Sequence, residues 1–264
     1  MTTVLVTGAS SGMGKATAEK LLEDGYTVYA VARRVELMRD LEERGATVVG
    51  VDVTNDDELV KLVESIDGGV DVLVNNAGFG LYGAVEDTSI DDARYQFEVN
   101  VFAMARLTQL VLPGMRARKN GRIVNLSSMG GKVYTPLGAW YHASKHAVEG
   151  WSDCLRIEVK PFGIDVVVIE PGIVATEFGS VLAGPVMERS GQGAYADLAG
   201  RIAAASAGGS GATSPAKLAD VIVKAIGAPR PRTRYVAGQY ARPLLFVRKW
   251  FGDRVYDRVL MSRV

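Results

Sequence analysis

The chain has 264 residues, 48 % of them hydrophobic, which is enough to bury one sizeable core, and single α/β domains of this size are common. Lys plus Arg and Asp plus Glu balance at 30 each, which argues against a nucleic-acid protein held by a large positive field. A single cysteine, Cys154, excludes an intramolecular disulfide, and no Cys/His cluster has the spacing of a structural zinc site.

Thr3 to Val6 reads as a buried parallel strand, followed by Thr7-Gly8-Ala9-Ser10-Ser11-Gly12-Met13-Gly14 and a helical run to Asp24 that Gly25 ends. This is strand, glycine turn, helix. Gly8 permits the tight turn, and Gly12, with Ser10, Ser11 and Met13 around it, lets backbone amides approach a pyrophosphate. Gly14 lets helix and strand pack closely, and the helix N-terminus favours the anion. A second strand, Tyr26 to Val31, ends in Ala32-Arg33-Arg34, where a fold selective for NAD carries Asp or Glu for the ribose 2′-hydroxyl. A guanidinium there matches the 2′-phosphate of NADP instead, with Arg33 the first choice and Arg34 the second, so NADP is favoured over NAD.

A helix from Val35 to Arg44 is followed by a strand, Thr47–Val51, that delivers Asp52-Val53, and by a helix from about Asn55 to Ile66. On spacing alone Asp52-Val53-Thr54 is a helix-capping turn. Val70 to Val74 is a fourth strand, leading into Asn75-Asn76-Ala77-Gly78, whose small residues let the backbone lie against a ligand. From Asp91 through Leu112 apolar residues recur at helical spacing around Asn100, and Pro113-Gly114 is expected to stop the run. Gly121–Leu126 is the fifth strand and ends in two adjacent serines, Ser127 and Ser128. A helix over Tyr141–Lys160 follows, with Tyr141 and Lys145 four residues apart on one face and a pKa-lowering role expected of the lysine. His142 and His146 flank that pair, but without the glutamate of a metalloprotease helix or a hydrolase elbow around Ser128 they read as packing or helix-surface residues, and no metal is expected.

Gly163 to Ile169 is a sixth strand, apolar as if covered on both faces, and leads into Glu170-Pro171-Gly172-Ile173-Val174-Ala175-Thr176. Residues 178–213 are rich in Gly, Ala and Ser with patchy periodicity, a composition suited to a mobile lid, with Val181, Leu182, Val186, Met187 and Tyr195 as candidates for an apolar cover. Ser214-Pro215 opens a helix over Ala216–Ile226, Thr233–Val236 forms a seventh strand, and Arg242–Met261 is a basic, aromatic-bearing helical region interrupted near Gly252. Residues 229–264 hold nine Arg or Lys against Asp253 and Asp257, a net +7. The whole of 1–264 is expected to be one domain, a doubly wound parallel sheet of Rossmann type.

Taken together, the TGxxxGxG loop, the NNAG tetrapeptide at 75–78, Asn100, Ser128 thirteen residues before Tyr141, the YxxxK pair and the PGxVxT segment resemble the short-chain dehydrogenase/reductase family, near its hydroxysteroid and retinol dehydrogenases. The resemblance spans roughly residues 3–176. It implies a catalytic set of Asn100, Ser128, Tyr141 and Lys145, and selects Ser128 over Ser127. It also implies that Asp52 and Val53 meet the adenine, that Asn76, Ala77 and Gly78 line the cofactor, and that Pro171, Gly172, Val174 and Thr176 hold the nicotinamide carboxamide. In such a site Tyr141 donates a proton, Ser128 hydrogen-bonds the substrate oxygen, Lys145 binds the nicotinamide ribose, and Asn100 connects Lys145 to a water relay. The expected function is NADP-dependent interconversion of a carbonyl and an alcohol on a small lipophilic ketone or alcohol. The alternative is a non-catalytic NADP-binding regulator, disfavoured because Tyr141 and Lys145 are both present.

A homodimer or homotetramer is expected through the helices carrying Asn100 and Tyr141, with Phe102, Leu107, Trp151 and Leu155 as the surplus apolar residues. The chain shows no basic leader and no apolar run near the ~20 residues of a membrane span, so a cytoplasmic protein is expected. For the basic tail, peripheral contact with anionic lipid is the less favoured reading. An apolar face closing over the substrate pocket or a subunit interface is preferred, because Gly252 interrupts the helix and Asp253 and Asp257 dilute its charge.

Overall fold

The computed structural model describes residues 1–175, 177–207 and 212–262. Seven strands form one wholly parallel sheet in the order β3-β2-β1-β4-β5-β6-β7. They are β1 (Thr3–Thr7), β2 (Thr27–Ala32), β3 (Thr47–Gly50), β4 (Val72–Asn75), β5 (Gly121–Leu126), β6 (Ile164–Pro171) and β7 (Arg234–Ala237). Strand alternation splits the core. Val4 and Val6 of β1, Val124 of β5 and Val167 of β6 face one side, with Ala18, Leu21, Ile222 and Ile226 from α1 (Gly12–Glu23) and α9 (Pro215–Gly227). Leu5, Ile123 and Val166, their immediate chain neighbours, face the other. There they meet Leu59, Leu107, Val111, Leu155 and Val159 from α3 (Asp56–Glu64), α5 (Ala103–Arg118) and α6 (Ala139–Val159). Covering on both faces is why these strands read as continuous apolar runs. The strand order reverses between β1 and β4, which opens a crevice at the carboxyl ends of the strands.

Several expectations are corrected. Pro113 does not end the helix: α5 runs through it to Arg118 and closes on Lys119 in a left-handed conformation (φ 52). The carbonyl that proline strands belongs to the exposed Gln109, and fully buried Met115 anchors the turn beyond it. The Val35–Arg44 helix is a 3₁₀ turn (Val35–Met38) followed by the short α2 (Arg39–Glu43). Leu107 and Leu155 lie in the core, so of the surplus apolar residues only Phe102, 56 % accessible, stands fully exposed.

The region expected to be an irregular lid folds as two helices, α7 (Glu177–Ser190) and α8 (Ala196–Ala207). Alanine is the strongest helix former, and burial of Val186 and Ala199 between them outweighs the glycine content. The side chains of Val181 and Leu182 lie outside the described residues. The remaining helices are α4 (Ile90–Phe97) and α10 (Ala241–Met261), the latter kinked at Gly252 (φ 74) where the sequence places its interruption.

Candidate active site

Between β1 and α1 the chain turns on Gly8 (φ 68) and Gly12 (φ 56), backbone angles that side chains rarely adopt. Thr7 and Asn76 hold this turn from behind. The Thr7 hydroxyl accepts from the amides of Asn76 (3.1 Å) and Ala77 (3.0 Å), and Asn76 Nδ2 donates to the carbonyls of Thr7 (2.9 Å) and Gly8 (3.2 Å). The Asn76 side chain therefore buttresses the loop rather than facing a ligand. A Cβ at Gly8 would meet Asn76 Nδ2 at 2.8 Å, and one at Gly14 would overlap the Gly8 carbonyl. Ser11 precedes α1 without a side-chain cap bond, so the first amides of the helix have no hydroxyl laid over them. Met13 lies in the first turn, where its carbonyl accepts from Thr17.

At the end of β2, Arg33 and Arg34 are both exposed. Arg34 reaches the hydroxyls of Ser10 (3.5 Å) and Ser11 (3.3 Å), across the mouth of the glycine turn, while Arg33 lies 3.4 Å from the Tyr95 hydroxyl. Asp52 forms the capping turn, accepting from the amide (3.0 Å) and hydroxyl (2.8 Å) of Thr54. Those bonds, with the Arg33 charge, hold its carboxyl below the ordinary carboxylate range against a smaller opposing effect of burial. Val53 lines a small cavity with Thr7, Asn75 and Ala77. A turn with no room for side chains, an uncapped helix start and two guanidiniums fit a phosphate-bearing dinucleotide.

Across the crevice, four expected residues converge from three elements. Ser128 follows β5, and its hydroxyl accepts from the Gly130 amide at 3.0 Å, which leaves the hydroxyl proton to donate elsewhere. Ser128 also bonds the Tyr141 phenol. Tyr141 stands in the first turn of α6, 8 % accessible, and Lys145 lies one turn on, 6 % accessible, donating to the Leu126 carbonyl at the end of β5 (2.8 Å). Burial pushes Lys145 down to about 8, opposed by the charge of Glu149. Burial likewise pushes the Tyr141 phenol above its ordinary value, and only the Ser128 bond pulls it back. The expected lowering by Lys145 is thus not met, because removal from water dominates the phenol's shift.

Asn100 occupies a π turn, Glu98–Phe102, between α4 and α5, where the Ala103 amide bonds the Glu98 carbonyl five residues back. Such turns widen a helix and are frequent at functional sites. Asn100 Oδ1 accepts from the Phe79 amide (3.0 Å), and Nδ2 donates to the Phe79 carbonyl (3.0 Å) and the Ser144 hydroxyl (3.1 Å). Ser144 donates in turn to the Tyr141 carbonyl (2.7 Å). Gly78 lies against this group, since a Cβ there would stand 3.0 Å from Asn100 Oδ1 and 3.6 Å from Lys145 Nζ.

The residues that match the family model described as short chain dehydrogenase are 2–183 of this chain. The chain belongs to the short-chain dehydrogenase family. It is 42 % identical over 179 residues to a 3-ketodihydrosphingosine reductase of Bacteroides thetaiotaomicron, covering 66 % of this chain and 65 % of that protein. It is 36 % identical over 267 residues to retinol dehydrogenase 8 of Bos taurus, covering 92 % of this chain and 83 % of the relative. A crystal structure of a short-chain dehydrogenase from Streptomyces avermitilis superposes with a TM-score of 0.83 at 35 % identity, covering 100 % of this chain and 99 % of the other. The family comprises NAD(P)-dependent dehydrogenases and reductases.

Within that family frame, sequence reasoning overlooked Ser144, Gln96 and the Leu126 carbonyl. Gln96 is fully buried and clamps the loop after Gly78, donating to the Phe79 carbonyl (2.8 Å) and accepting from the Leu81 amide (2.7 Å). Its only signal was an amide at a buried helical position. Beyond β6, Gly172 donates to the Ala237 carbonyl (2.8 Å), and Ile173 and Val174 bridge to Gln239 and Thr213, so Pro171 to Val174 are pinned at the sheet's end. Thr176 lies outside the described residues. His142 is a satisfied core histidine: Nδ1 lies 3.0 Å from the Gly130 carbonyl, and Nε2 accepts from the Thr135 amide at 3.0 Å. Among the described residues no group of three His, Cys, Asp or Glu is placed to hold a metal.

Proposed function

We propose that this chain is an NADP-dependent oxidoreductase interconverting a carbonyl and an alcohol on a lipophilic substrate. The observation that carries this reading is the convergence of Ser128, Tyr141, Lys145 and Asn100 across a crevice from the glycine turn. The nicotinamide dinucleotide, when bound, supplies or accepts a hydride. Residues 8–14 would hold its pyrophosphate, Arg33 and Arg34 its 2′-phosphate, Asp52 and Val53 its adenine, the backbone of Asn76 to Gly78 its ribose side, and Pro171, Gly172, Val174 and Thr176 its carboxamide.

The chain's own groups do the proton chemistry. Tyr141, pushed up by burial, keeps its proton at neutral pH and so is ready to give it to a carbonyl oxygen. Ser128, whose hydroxyl proton is turned toward the Tyr141 oxygen, would steady the same substrate oxygen by redirecting that proton to it. Lys145 spends one N–H on Leu126, leaving two to bind ribose hydroxyls. Asn100 fixes the strand-end loop and the π turn, through which Lys145 would exchange protons with solvent.

An apolar cover supports the lipophilic substrate: Tyr141 shares a cluster with Tyr82, Leu137, Val186, Ala199 and Ile202. The sphingoid and retinoid names of the relatives point the same way. A homodimer or homotetramer through the π turn with α5 and through α6, where Phe102 and Ile157 (67 % accessible) respectively are exposed, and a cytoplasmic location complete the proposal.

The experiment is a turnover screen of lipophilic ketones and alcohols with both cofactors, repeated with Tyr141→Phe. Loss of the proton donor should cut turnover by ~10²–10⁴ while NADP titrations stay unchanged. Activity within threefold of wild type would remove Tyr141 from the mechanism. Arg33→Ala should weaken NADP by about ten- to a hundredfold with NAD unaffected.

A further inference from the structure

The basic C-terminal helix is only half used by the protein. Beyond its kink at Gly252, Tyr256 is fully buried and Leu260 nearly so, packed with Val133, Met129, Tyr134, Leu244, Leu245 and Val247. The Tyr256 hydroxyl donates to the Tyr134 carbonyl (2.8 Å), and the Tyr134 hydroxyl donates to Asp257 (2.9 Å). Arg248 lies over the Tyr134 ring and pairs with Asp253. Both acidic residues of the helix are therefore engaged in local contacts, and this part of its apolar surface is closed against the loop after Ser128.

The rest is open. Phe246, Trp250 and Phe251 are 56 %, 65 % and 58 % accessible, with Phe246 6.4 Å from Trp250 and 6.1 Å from Phe251 between ring centroids. Lys249 sits over the Trp250 ring at 5.2 Å. Arg242, Phe246, Lys249 and Trp250 recur at i, i+4, i+7 and i+8, which is one helix face, and Arg254 and Arg258 continue the exposed positive charge past the kink. Three neighbouring aromatics more than half in water, bordered by cations, are an unusual surface for a soluble partner-free protein.

From this we infer that the Phe246–Trp250–Phe251 face of the C-terminal helix docks on an anionic membrane surface. Charge decides the occupant. A second copy of the chain would bring the same face against itself under two-fold symmetry, setting the four exposed cations of one copy against those of the other. A bilayer bearing anionic lipid offers the opposite charge, and its interfacial layer suits Trp and Phe beside Lys and Arg. The helix lies on the surface and does not cross, because among the described residues no helix is long and apolar enough to span a membrane. It is also anchored on Met129, Val133 and Tyr134, immediately after Ser128, which places the membrane on the side of the loop that edges the candidate site. The inference does not depend on the substrate reading, since it concerns only this face.

The full chain should be sedimented with vesicles of neutral phosphatidylcholine, and with vesicles containing about 30 % phosphatidylserine, at about 0.15 M and 0.5 M salt. The expected result is at least about tenfold tighter binding to the anionic vesicles, lost at the higher salt, with a blue shift of Trp fluorescence. Phe246→Ser/Trp250→Ser/Phe251→Ser should keep native thermal stability and cofactor binding and lose the vesicle binding. Arg242→Gln/Lys249→Gln should weaken it without touching the rings. No binding, equal binding to both vesicles, or a folded triple variant that still binds would overturn the inference. So would light scattering that shows a dimer abolished by the triple variant in a protein that ignores vesicles.

Discussion

Around the crevice, glycines stand against their neighbours: a Cβ at Gly8, Gly78, Gly130, Gly131 or Gly138 would lie 3.0 Å or less from a side chain or backbone atom. Inside the two helices that cover the crevice, Gly184 and Gly200 have nothing within 4 Å. The same residue type thus does two different jobs. In the first region it is dictated by space, because a neighbouring side chain or backbone segment already fills the volume a Cβ would take. In the second it costs helix propensity and relieves no contact.

Gly14→Ala tests the crowded region most directly. The added methyl overlaps the Gly8 carbonyl and the Asn76 amide, with Gly8 C only 2.9 Å away, and neither is the flexible end of a long side chain. Overpacking of this kind costs about 1–3 kcal/mol, and relief would require the turn to open. Thermal unfolding should register the loss, and NADP titration should show binding weakened by about tenfold or more. A variant that binds the cofactor normally would show that the close approach of α1 to the turn is not what shapes the site.

This contrast also explains how much was legible in the sequence. The seven strands read as apolar runs, and the glycine turn, Asn100, Ser128, Tyr141 and Lys145 as particular residue types at particular spacings, so identity and spacing carried the information. Asn75 donates to Thr108 (3.1 Å) and Asn125 (2.9 Å), which ties the end of β4 to α5 and β5. The cover was not legible, because α7 and α8 are held by tertiary packing of Val186, Ala199 and Ile202 with Tyr82 and Leu137, which composition does not encode. Nor was the sign of the Tyr141 shift, which depends on how thoroughly the folded chain excludes water from the phenol. Two adjacent residues show the same limit: Tyr141 announced itself by spacing, while the role of His142 needed the positions of Gly130 and Thr135.

His142 lies at the centre of the crowded region, since its ring fills the space between two crowded glycines: a Cβ would lie 2.7 Å from Nδ1 at Gly130 and 2.8 Å from Nε2 at Gly138. With Nδ1–H given to the Gly130 carbonyl and Nε2 accepting from Thr135, the ring must be neutral, and burial pulls it from 6.5 to about 4. As the pH falls below 6.5 the unfolded chain takes up a proton that the folded protein refuses until about pH 4. The stability held by neutral His142 is therefore complete above 6.5 and is lost across that window, by up to ~1.4 kcal/mol per pH unit. Denaturant midpoints measured between about pH 7 and pH 5 should fall more steeply for wild type than for His142→Gln, which has no proton to take up. Equal slopes would mean that the space between the glycines admits water.

Gly200→Ala is the smallest and most discriminating change, because the open region predicts the opposite sign. Gly200 lies inside α8, its backbone is not among the positive-φ glycines, and a Cβ there meets no atom within 4 Å. Alanine restricts the unfolded chain and favours the helix, so stability should rise by about 0.5–1 kcal/mol. For a chain of this size that is an increase in melting temperature of about 1–4 °C, with NADP affinity unchanged. If Gly200→Ala instead lowers the melting temperature, a close neighbour of α8 is present in solution, and the cover belongs with the crowded half of the molecule. If stability rises while turnover of a bulky lipophilic substrate falls, the same glycine is a space reserved for substrate, and α8 is a wall of the pocket rather than an inert lid.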